Sequence, residues 1–436
     1  MVLKKIRLKN YRCFKDIELE FDNELTVLVG ENGAGKTTVL SAIVVAISIF
    51  LTNFPTSYAV SILKSDARID RALEEEGGYA VYPVSIYAEA EDNGNSIIWE
   101  RSLNSAKGKT TIVDAKQMIR LSSQYYQGIR ANDEELILPV LLYYGTGRLF
   151  DSHREKRANV FKDDDRLNGY IDCMDSAANI KLMYKWFQRK TIERYQRMER
   201  GSIEDPALSI VFEPMEYIFK SVSGYSDVKM QYSLSQDELV VWYTDNNGNK
   251  MCIPLGQLSA GYRNTISLVA DIAYRMVTLN PHLSDNALIE TSGIIVIDEI
   301  DQHLHPSWQR RIIGDLRKIF PRVQFIISSH SPSVIGSINS KNLRKLSKLA
   351  LANDYPEIYG KDSNGILSYV FETDERMTDI KDMFETFYSF VDNGDYENAE
   401  KELAEIANKV DPDDPELTAC IIKLDLARLD MESDDI

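Results

Sequence analysis

Two stretches near the start of the chain, residues 3 to 8 and 14 to 21, alternate apolar with polar side chains and predict two strands with Asn10-Tyr11-Arg12 between them. Leu25 to Val29 is apolar almost throughout, as a strand buried on both faces requires. Val39 to Leu51 is apolar apart from Ser41 and Ser48 and too short to span a bilayer, so it reads as a helix buried on most sides. Tyr79 to Ala90 and Ser96 to Leu103 read as strands of a small sheet around the turn Glu91-Asp92-Asn93-Gly94-Asn95, while residues 105 to 135 are polar and fit neither period. Leu136 to Tyr144 reads as an apolar strand ending at Gly145-Thr146-Gly147-Arg148. Helical spacing follows from Met174 to Met198 and from Pro206 to Val222, then strands at 226 to 233, at 238 to 244 and on to Pro254. Ser259 precedes a long helical pattern, and Gly293 to Ile297 and Val323 to His330 are two more buried strands.

Composition adds a division of charge to this picture. The 436 residues carry a formal net charge of −17, of which 21 acidic and 6 basic residues from Phe371 onward account for −15. The acidity therefore belongs to a C-terminal helical module, whose charged faces are either simply solvated or a surface for a partner. An acidic chain argues against tight non-specific nucleic-acid binding by the whole molecule, without excluding a local basic groove. The N-terminus lacks a signal-peptide core, and the four cysteines are far apart with no metal-ligand spacing. Both features predict a cytoplasmic protein with reduced thiols.

The candidate chemistry lies where buried strands end. After Leu25 to Val29 comes Gly30-Glu31-Asn32-Gly33-Ala34-Gly35-Lys36-Thr37, a phosphate-binding loop between a strand and a helix. Its glycines let successive N–H groups face phosphate oxygens, Lys36 neutralises the β- and γ-phosphates, and the Thr37 hydroxyl ligates Mg²⁺. Gly293 to Ile297 closes on Asp298 and Glu299: Asp298 holds Mg²⁺ and Glu299 deprotonates the attacking water, or else the two acids merely end a strand. Ser259 and Gly261 open a helix either as a plain N-cap or as an anion site. His330, at the end of the next buried strand, is placed to touch the γ-phosphate, although a lone histidine is more often structural. Gly145 to Arg148 either borders the nucleotide, with Arg148 near phosphate, or is an ordinary turn.

In this order, the motifs resemble those of the ABC-type ATPases of the SMC, RecF and OLD group. Asn10-Tyr11-Arg12-Cys13-Phe14 is similar to a conserved N-terminal motif of that group whose basic residue, here Arg12, approaches the nucleotide. The signature Leu258-Ser259-Ala260-Gly261-Tyr262 departs from Leu-Ser-Gly-Gly-Gln at Ala260 and Tyr262, a kind of variation familiar in the OLD-like branch, and no glutamine is assigned to the Q-loop. The resemblance implies an α/β fold: an ABC/RecF-type P-loop ATPase domain over 1–370, in halves of about 1–150 and 250–345 around a mixed insertion of about 150–250, then an acidic helical module over 371–436. It implies ATP and Mg²⁺ as cofactors, with Arg12, Gly30, Asn32, Gly33, Ala34, Gly35, Lys36, Thr37 and Thr38 at the nucleotide. Ser259 and Gly261 of a second protomer would cover that nucleotide, and Asp301 with its neighbours would cross the interface.

A long coiled-coil arm is excluded, because Thr38 to Leu258 holds only a short helical insert. Asp411-Pro412-Asp413-Asp414-Pro415 imitates a nuclease metal motif, yet its flanks are helical rather than strand-like. What is left resembles the stand-alone OLD-like ATPases of Septu-type anti-phage systems, some of which serve beside retrons. His303-Leu304-His305-Pro306, Ser329-His330-Ser331-Pro332 and Tyr359-Gly360-Lys361-Asp362 carry that likeness further. It implies self-association as a dimer or higher assembly, a separate HNH nuclease as partner, a nucleic acid or retron DNA–RNA element as a further partner, and no membrane. The alternative is a RecF-like DNA-repair ATPase that clamps DNA as an ATP-dependent dimer.

Overall fold

The computed structural model describes residues 1–55, 57–70, 79–147, 165–175, 180–201, 206–352, 357–373 and 376–434, the side chains of 180 and 428–434 excepted. The chain forms two compact units, Met1–Ile366 and Leu367–Ile436.

The first unit opens with β1 (Val2–Tyr11), β2 (Phe14–Glu20) and β3 (Leu25–Gly30), followed by helix α1 (Lys36–Ile47). Next come β4 (Val84–Asp92), β5 (Asn95–Leu103), helix α2 (Lys116–Arg130) and β6 (Val140–Tyr144). The middle of the chain supplies α3 (Ile180–Glu199), α4 (Ala207–Ser223), and β7 (Ser226–Ser233), β8 (Glu238–Thr244) and β9 (Lys250–Pro254). Helix α5 (Ala260–Leu279), β10 (Gly293–Ile297), α6 (Ile312–Ile319), β11 (Val323–Ser328), β12 (Leu343–Ser347) and β13 (Ala350–Leu351) complete it.

Six strands in the order β13-β12-β3-β11-β10-β6 form the central sheet, parallel except for β13. Every residue of β3, β10 and β11 is buried, which explains why these strands read as continuous apolar runs. Helix α1 packs into the same core and is buried over most of its length. Lys36–Asn53 is long and apolar enough to cross a membrane by composition, but 72% of it is buried within the protein. Two side chains satisfy backbone carbonyls near its C-terminal end: Trp99 Nε1 donates to the Ala46 carbonyl at 3.0 Å and Arg101 Nη1 to that of Val45 at 2.8 Å. A buried guanidinium at that end also meets the negative pole of the helix dipole.

A second, antiparallel sheet runs β2-β1-β4-β5. The two strands expected around Asn93-Gly94 pair with each other, and Val84–Asp92 pairs with β1 as well, so their sheet has four strands; Tyr79–Ala80 instead pairs with Ile69–Asp70. Gln324 fastens the two sheets. Its buried side chain accepts from the Leu3 N–H at 2.8 Å and donates to the carbonyls of Leu3 and Asp22 at 2.7 and 2.8 Å. The polar stretch 105 to 135 contains α2, whose buried residues Met118, Ser122 and Tyr125 lie on one side. The strand expected from Leu136 begins only at Val140, because Pro139 has no N–H and Leu138 hydrogen-bonds with the Asn280 side chain instead, at 2.8 and 2.9 Å.

The inserted segment packs against α5. On that helix, Arg275 Nε lies 3.0 Å from the Asp271 carboxylate, and the guanidinium also donates to the carbonyls of Gly169 and Ile171 at 2.9 and 2.8 Å. The Tyr144 hydroxyl donates to the same carboxylate at 2.6 Å, so this buried pair joins β6, α5 and the inserted segment.

The second unit is helical: α7 (Thr378–Asp392), α8 (Tyr396–Ala407) and α9 (Pro415–Asp434) close over Phe384, Phe387, Val391, Ala399, Ile406, Leu417, Cys420 and Leu424. Asp414 accepts from the N–H groups of Glu416 and Leu417 at 2.9 and 3.1 Å and pairs with Arg376 at 2.9 Å, so its carboxylate caps a helix.

Breaking the ion pair by Arg275→Met leaves a buried carboxylate and is expected to cost about 3–5 kcal/mol. The double change Asp271→Asn with Arg275→Met is expected to cost less. Chemical denaturation of the three proteins checks the order.

Candidate nucleotide site

Parallel register brings the strand ends together. Ile297 stands level with Ile327 and Tyr144, and Ser328 with Leu28, so the segments after β3, β10, β11 and β6 leave the sheet at one carboxyl edge. That edge is where ligands bind in open α/β sheets.

After β3 the loop turns back on itself. Lys36 is buried, and its ammonium donates to the carbonyls of Gly30 and Glu31 at 2.8 and 2.9 Å, which hold it across the mouth of the loop. Burial lowers the pKa of Lys36 from its ordinary value, against the pull of Asp298, Glu299 and Asp301. Gly35 has φ +98°, and a β-carbon there would stand 2.4 Å from the Phe14 ring. Cys13 Sγ lies 3.9 Å from Thr38 Oγ1. The Asn10–Phe14 segment thus braces the phosphate loop from beneath. Asn32, Gly33 and Thr37 are exposed, Thr38 is half-buried and Ala34 is buried.

Beyond β10, Asp298 is buried and accepts a hydrogen bond from the Ser328 hydroxyl, whose oxygen in turn accepts the Glu299 N–H at 2.8 Å. Glu299 adopts φ +48°, a left-handed conformation that costs energy in a residue other than glycine. The Ser329 hydroxyl donates to Asp301 at 2.7 Å. His330 follows at once, and burial together with the nearby Lys36 charge lowers its pKa from the ordinary imidazole value, against Asp301, Glu299 and Asp298. Lys36, Asp298, Glu299, Asp301 and His330 therefore share one electrostatic environment.

The helix-opening pair lies elsewhere in the hydrogen-bond network. Ser259 occupies the N-cap position of α5, but its side chain makes no capping bond, so the expected plain cap is not formed. Among the described residues no hydrogen bond ties Ser259 or Gly261 to Gly30–Thr38. Gly261 is instead required by packing, since a β-carbon there would lie 2.7 Å from the His303 carbonyl oxygen and 2.9 Å from the Trp308 ring. Tyr262 packs on Trp308 with ring centroids 4.5 Å apart.

Arg12 has φ +48°; its Nε donates to Asp66 at 2.8 Å and its Nη1 lies 3.4 Å from the Ser41 hydroxyl, one helical turn beyond Thr37. It lines a cleft of about 580 Å³ with Ser41, Asp66, Tyr143 and Asp172. Gly145–Gly147 leave β6 at the same carboxyl edge, and Arg148 falls outside the described residues. Sequence reading missed Ser328, Ser329 and Asp66, although the run of hydroxyls at the end of β11 beside two acids was a usable signal.

The residues present fit a magnesium nucleotide. Mg²⁺ takes oxygen donors and usually only one or two carboxylates beside the phosphates, and the Thr37 hydroxyl and Asp298 carboxylate are donors of that kind. Among the described residues no cluster of three or more His, Cys, Asp or Glu side chains offers a competing metal site.

The fold and this site define an α/β P-loop ATPase. Two family models match the chain, one described as an AAA domain over residues 5–205 and one as an AAA ATPase domain over residues 180–335. Its homologues include the Retron Ec83 probable ATPase of Escherichia coli, 25% identical over 500 residues that cover 98% of this chain and 87% of the relative. The Retron Vc95 probable ATPase of Vibrio cholerae serotype O1 biovar El Tor is 25% identical over 421 residues, 86% of this chain and 79% of the relative. The Septu protein PtuA of Bacillus mycoides (strain KBAB4) is 24% identical over 422 residues, 94% of this chain but 50% of the relative.

Gly35→Ala forces its side chain into the Phe14 ring in a left-handed conformation. Nucleotide affinity is expected to fall tenfold or more, about 1.4 kcal/mol, in titrations with a fluorescent ATP analogue.

Proposed function

We propose that this chain is the ATP-binding and ATP-hydrolysing subunit of an anti-phage defence complex and that it controls a separate HNH nuclease in the cytoplasm. The observation that carries the hydrolytic part is the convergence of Lys36, Asp298, Glu299 and His330 at one sheet edge. The defence part is supported by relatives named as retron ATPases and Septu PtuA along most of this chain. The nuclease partner comes from the likeness to Septu-type ATPases, in which a PtuB-like HNH protein is the cutting subunit.

In this reading Lys36 and the N–H groups of Gly33 to Thr38 hold the phosphates of ATP. Thr37 and Asp298 hold Mg²⁺, which supplies charge neutralisation at the phosphate oxygens. Glu299 takes the proton of the attacking water, and His330 contacts the γ-phosphate. Ser259 and Gly261 act on the nucleotide of a second protomer, a role that comes from the resemblance of Leu258-Ser259-Ala260-Gly261-Tyr262 to the ABC signature. The chain therefore works as a dimer or a larger assembly.

Glu299→Gln is expected to bind ATP normally, to hydrolyse it some 10²- to 10⁴-fold more slowly, and to accumulate as an ATP-bound assembly in size-exclusion chromatography. Unimpaired turnover would remove Glu299 from this role. Copurification with the products of the native flanking genes tests the partner. An HNH protein at fixed ratio supports the defence reading, whereas recovery of the chain alone, with DNA-stimulated and salt-sensitive hydrolysis, favours a RecF-like clamp.

A further inference from the structure

One side chain joins the segments that follow β10 and β11 beyond the end of their ladder. Gln309 lies on the short helix Pro306–Gln309 and is half-buried. Its amide nitrogen donates to the carbonyls of Asp301 and Leu304, at 3.3 and 3.0 Å, which folds the segment after Glu299 into a closed loop. Its amide oxygen accepts from the Ser331 hydroxyl at 2.6 Å, immediately after His330. Only a neutral amide of this length fills both roles: a carboxylate could accept from Ser331 but would repel the two carbonyls.

The preceding residue completes the link. Trp308 is in contact with Tyr262 and leaves no room for a side chain at Gly261. The first turn of α5, which carries Ser259, thus rests on the segment that Gln309 holds. From the other side, Ser329 donates to Asp301 and Ser331 to Gln309, so the residues flanking His330 grip that segment at two points.

We propose that Gln309 is a positioning residue: through the Asp301–Leu304 loop and Trp308 it transmits the position of the His330 strand end to the signature turn at Ser259 and Gly261. The inference rests on the nucleotide-site reading given above. It makes the state of one protomer's own nucleotide set the placement of the groups it offers to the next protomer, and it requires no movement of the central sheet. The hydrogen bonds of Gln309 go to Asp301, Leu304 and Ser331 and none goes to the phosphate loop, so its loss acts on turnover and assembly and leaves the affinity of Lys36 for phosphate in place.

The test follows Trp308 emission, taken as the difference between a protein and its Trp308→Phe counterpart, in the full chain carrying Glu299→Gln so that ATP persists. ATP is expected to shift this emission, and Gln309→Ala is expected to remove the shift while the affinity for a fluorescent ATP analogue stays within twofold and the melting temperature stays near that of the parent. With Glu299 restored, Gln309→Ala is expected to lower kcat tenfold or more with little change in KM. Gln309→Glu is expected to behave like Gln309→Ala, because it keeps the acceptor for Ser331 but loses both donors. A shift that survives Gln309→Ala, or the absence of any ATP-dependent shift in the parent, overturns the proposal. So does a loss of kcat that runs in parallel with a fall in melting temperature in both variants, which would mark Gln309 as a purely structural brace. Failure of the nucleotide-site reading is distinguishable: there the parent binds no ATP, or Glu299→Gln hydrolyses it at the unaltered rate.

Discussion

The Ser328 hydroxyl fixes both acids at the end of β10. It donates to Asp298 and accepts from the N–H of Glu299, and these two bonds turn the chain out of the sheet just where the apolar run stops. The left-handed backbone of Glu299 is held in place by this grip and by the Ile300 N–H, which donates to the Ser328 carbonyl at 3.1 Å. Backbone strain of this kind costs about 1–3 kcal/mol and persists only where the surroundings over-determine it. The surroundings here are the fully buried β10 and β11 in parallel register, so the apolar core indirectly places a carboxylate that faces solvent on one side. A one-residue slip between these strands would remove Ser328 from Asp298 and would also pull the buried Gln324 side chain away from Leu3 and Asp22.

The parts of the site that were legible in the sequence are contiguous segments. The phosphate loop and the Asp298-Glu299 pair each announce themselves within eight residues, because a buried strand, a special backbone and the reactive side chain follow one another along the chain. The rest depends on strand order, which spacing does not encode. Ser328, Ser329 and Gln309 act on residues that are local to β10 only once β11 lies beside it. Asp66 reaches Arg12 from a segment with no period at all. Phe14 was visible as part of a motif, but its role beneath Gly35 is a matter of packing.

The fold shows the same division. Strand patterns were visible at 3 to 8, 14 to 21, 79 to 90 and 96 to 103, yet they could not say that these segments share a sheet, since β1 and β4 pair across most of a hundred residues. Helix α2 was hidden because Ser122 occupies a position on its buried stripe, where it accepts a hydrogen bond from Asn53 at 3.1 Å and satisfies its hydroxyl without breaking the packing. Leu136 to Pro139 looked like strand because it is apolar. Its backbone instead bonds to the side chains of Arg166 and Asn280, residues that sequence distance had placed in other elements.

Charge and core are also distributed in a way that bears on how the two units arise. The Leu367–Ile436 unit carries almost all of the net charge and still has an apolar core of its own, with Phe384, Phe387 and Leu417 among its members. Self-repulsion at that charge density opposes compaction, and the structure answers with local pairing: Arg376 to Asp414 and Glu416, Lys423 to Asp392, Lys401 to Glu397. The exposed pairs of Lys423 and Lys401 contribute little each, about 0–1 kcal/mol, and the part-buried Arg376 pairing is a single local link, so they cannot hold the unit together on their own. Cohesion has to come from the buried aromatic and aliphatic residues. Apart from Asp414, which caps a helix and holds Arg376, the acidic side chains therefore carry little of the unit's cohesion.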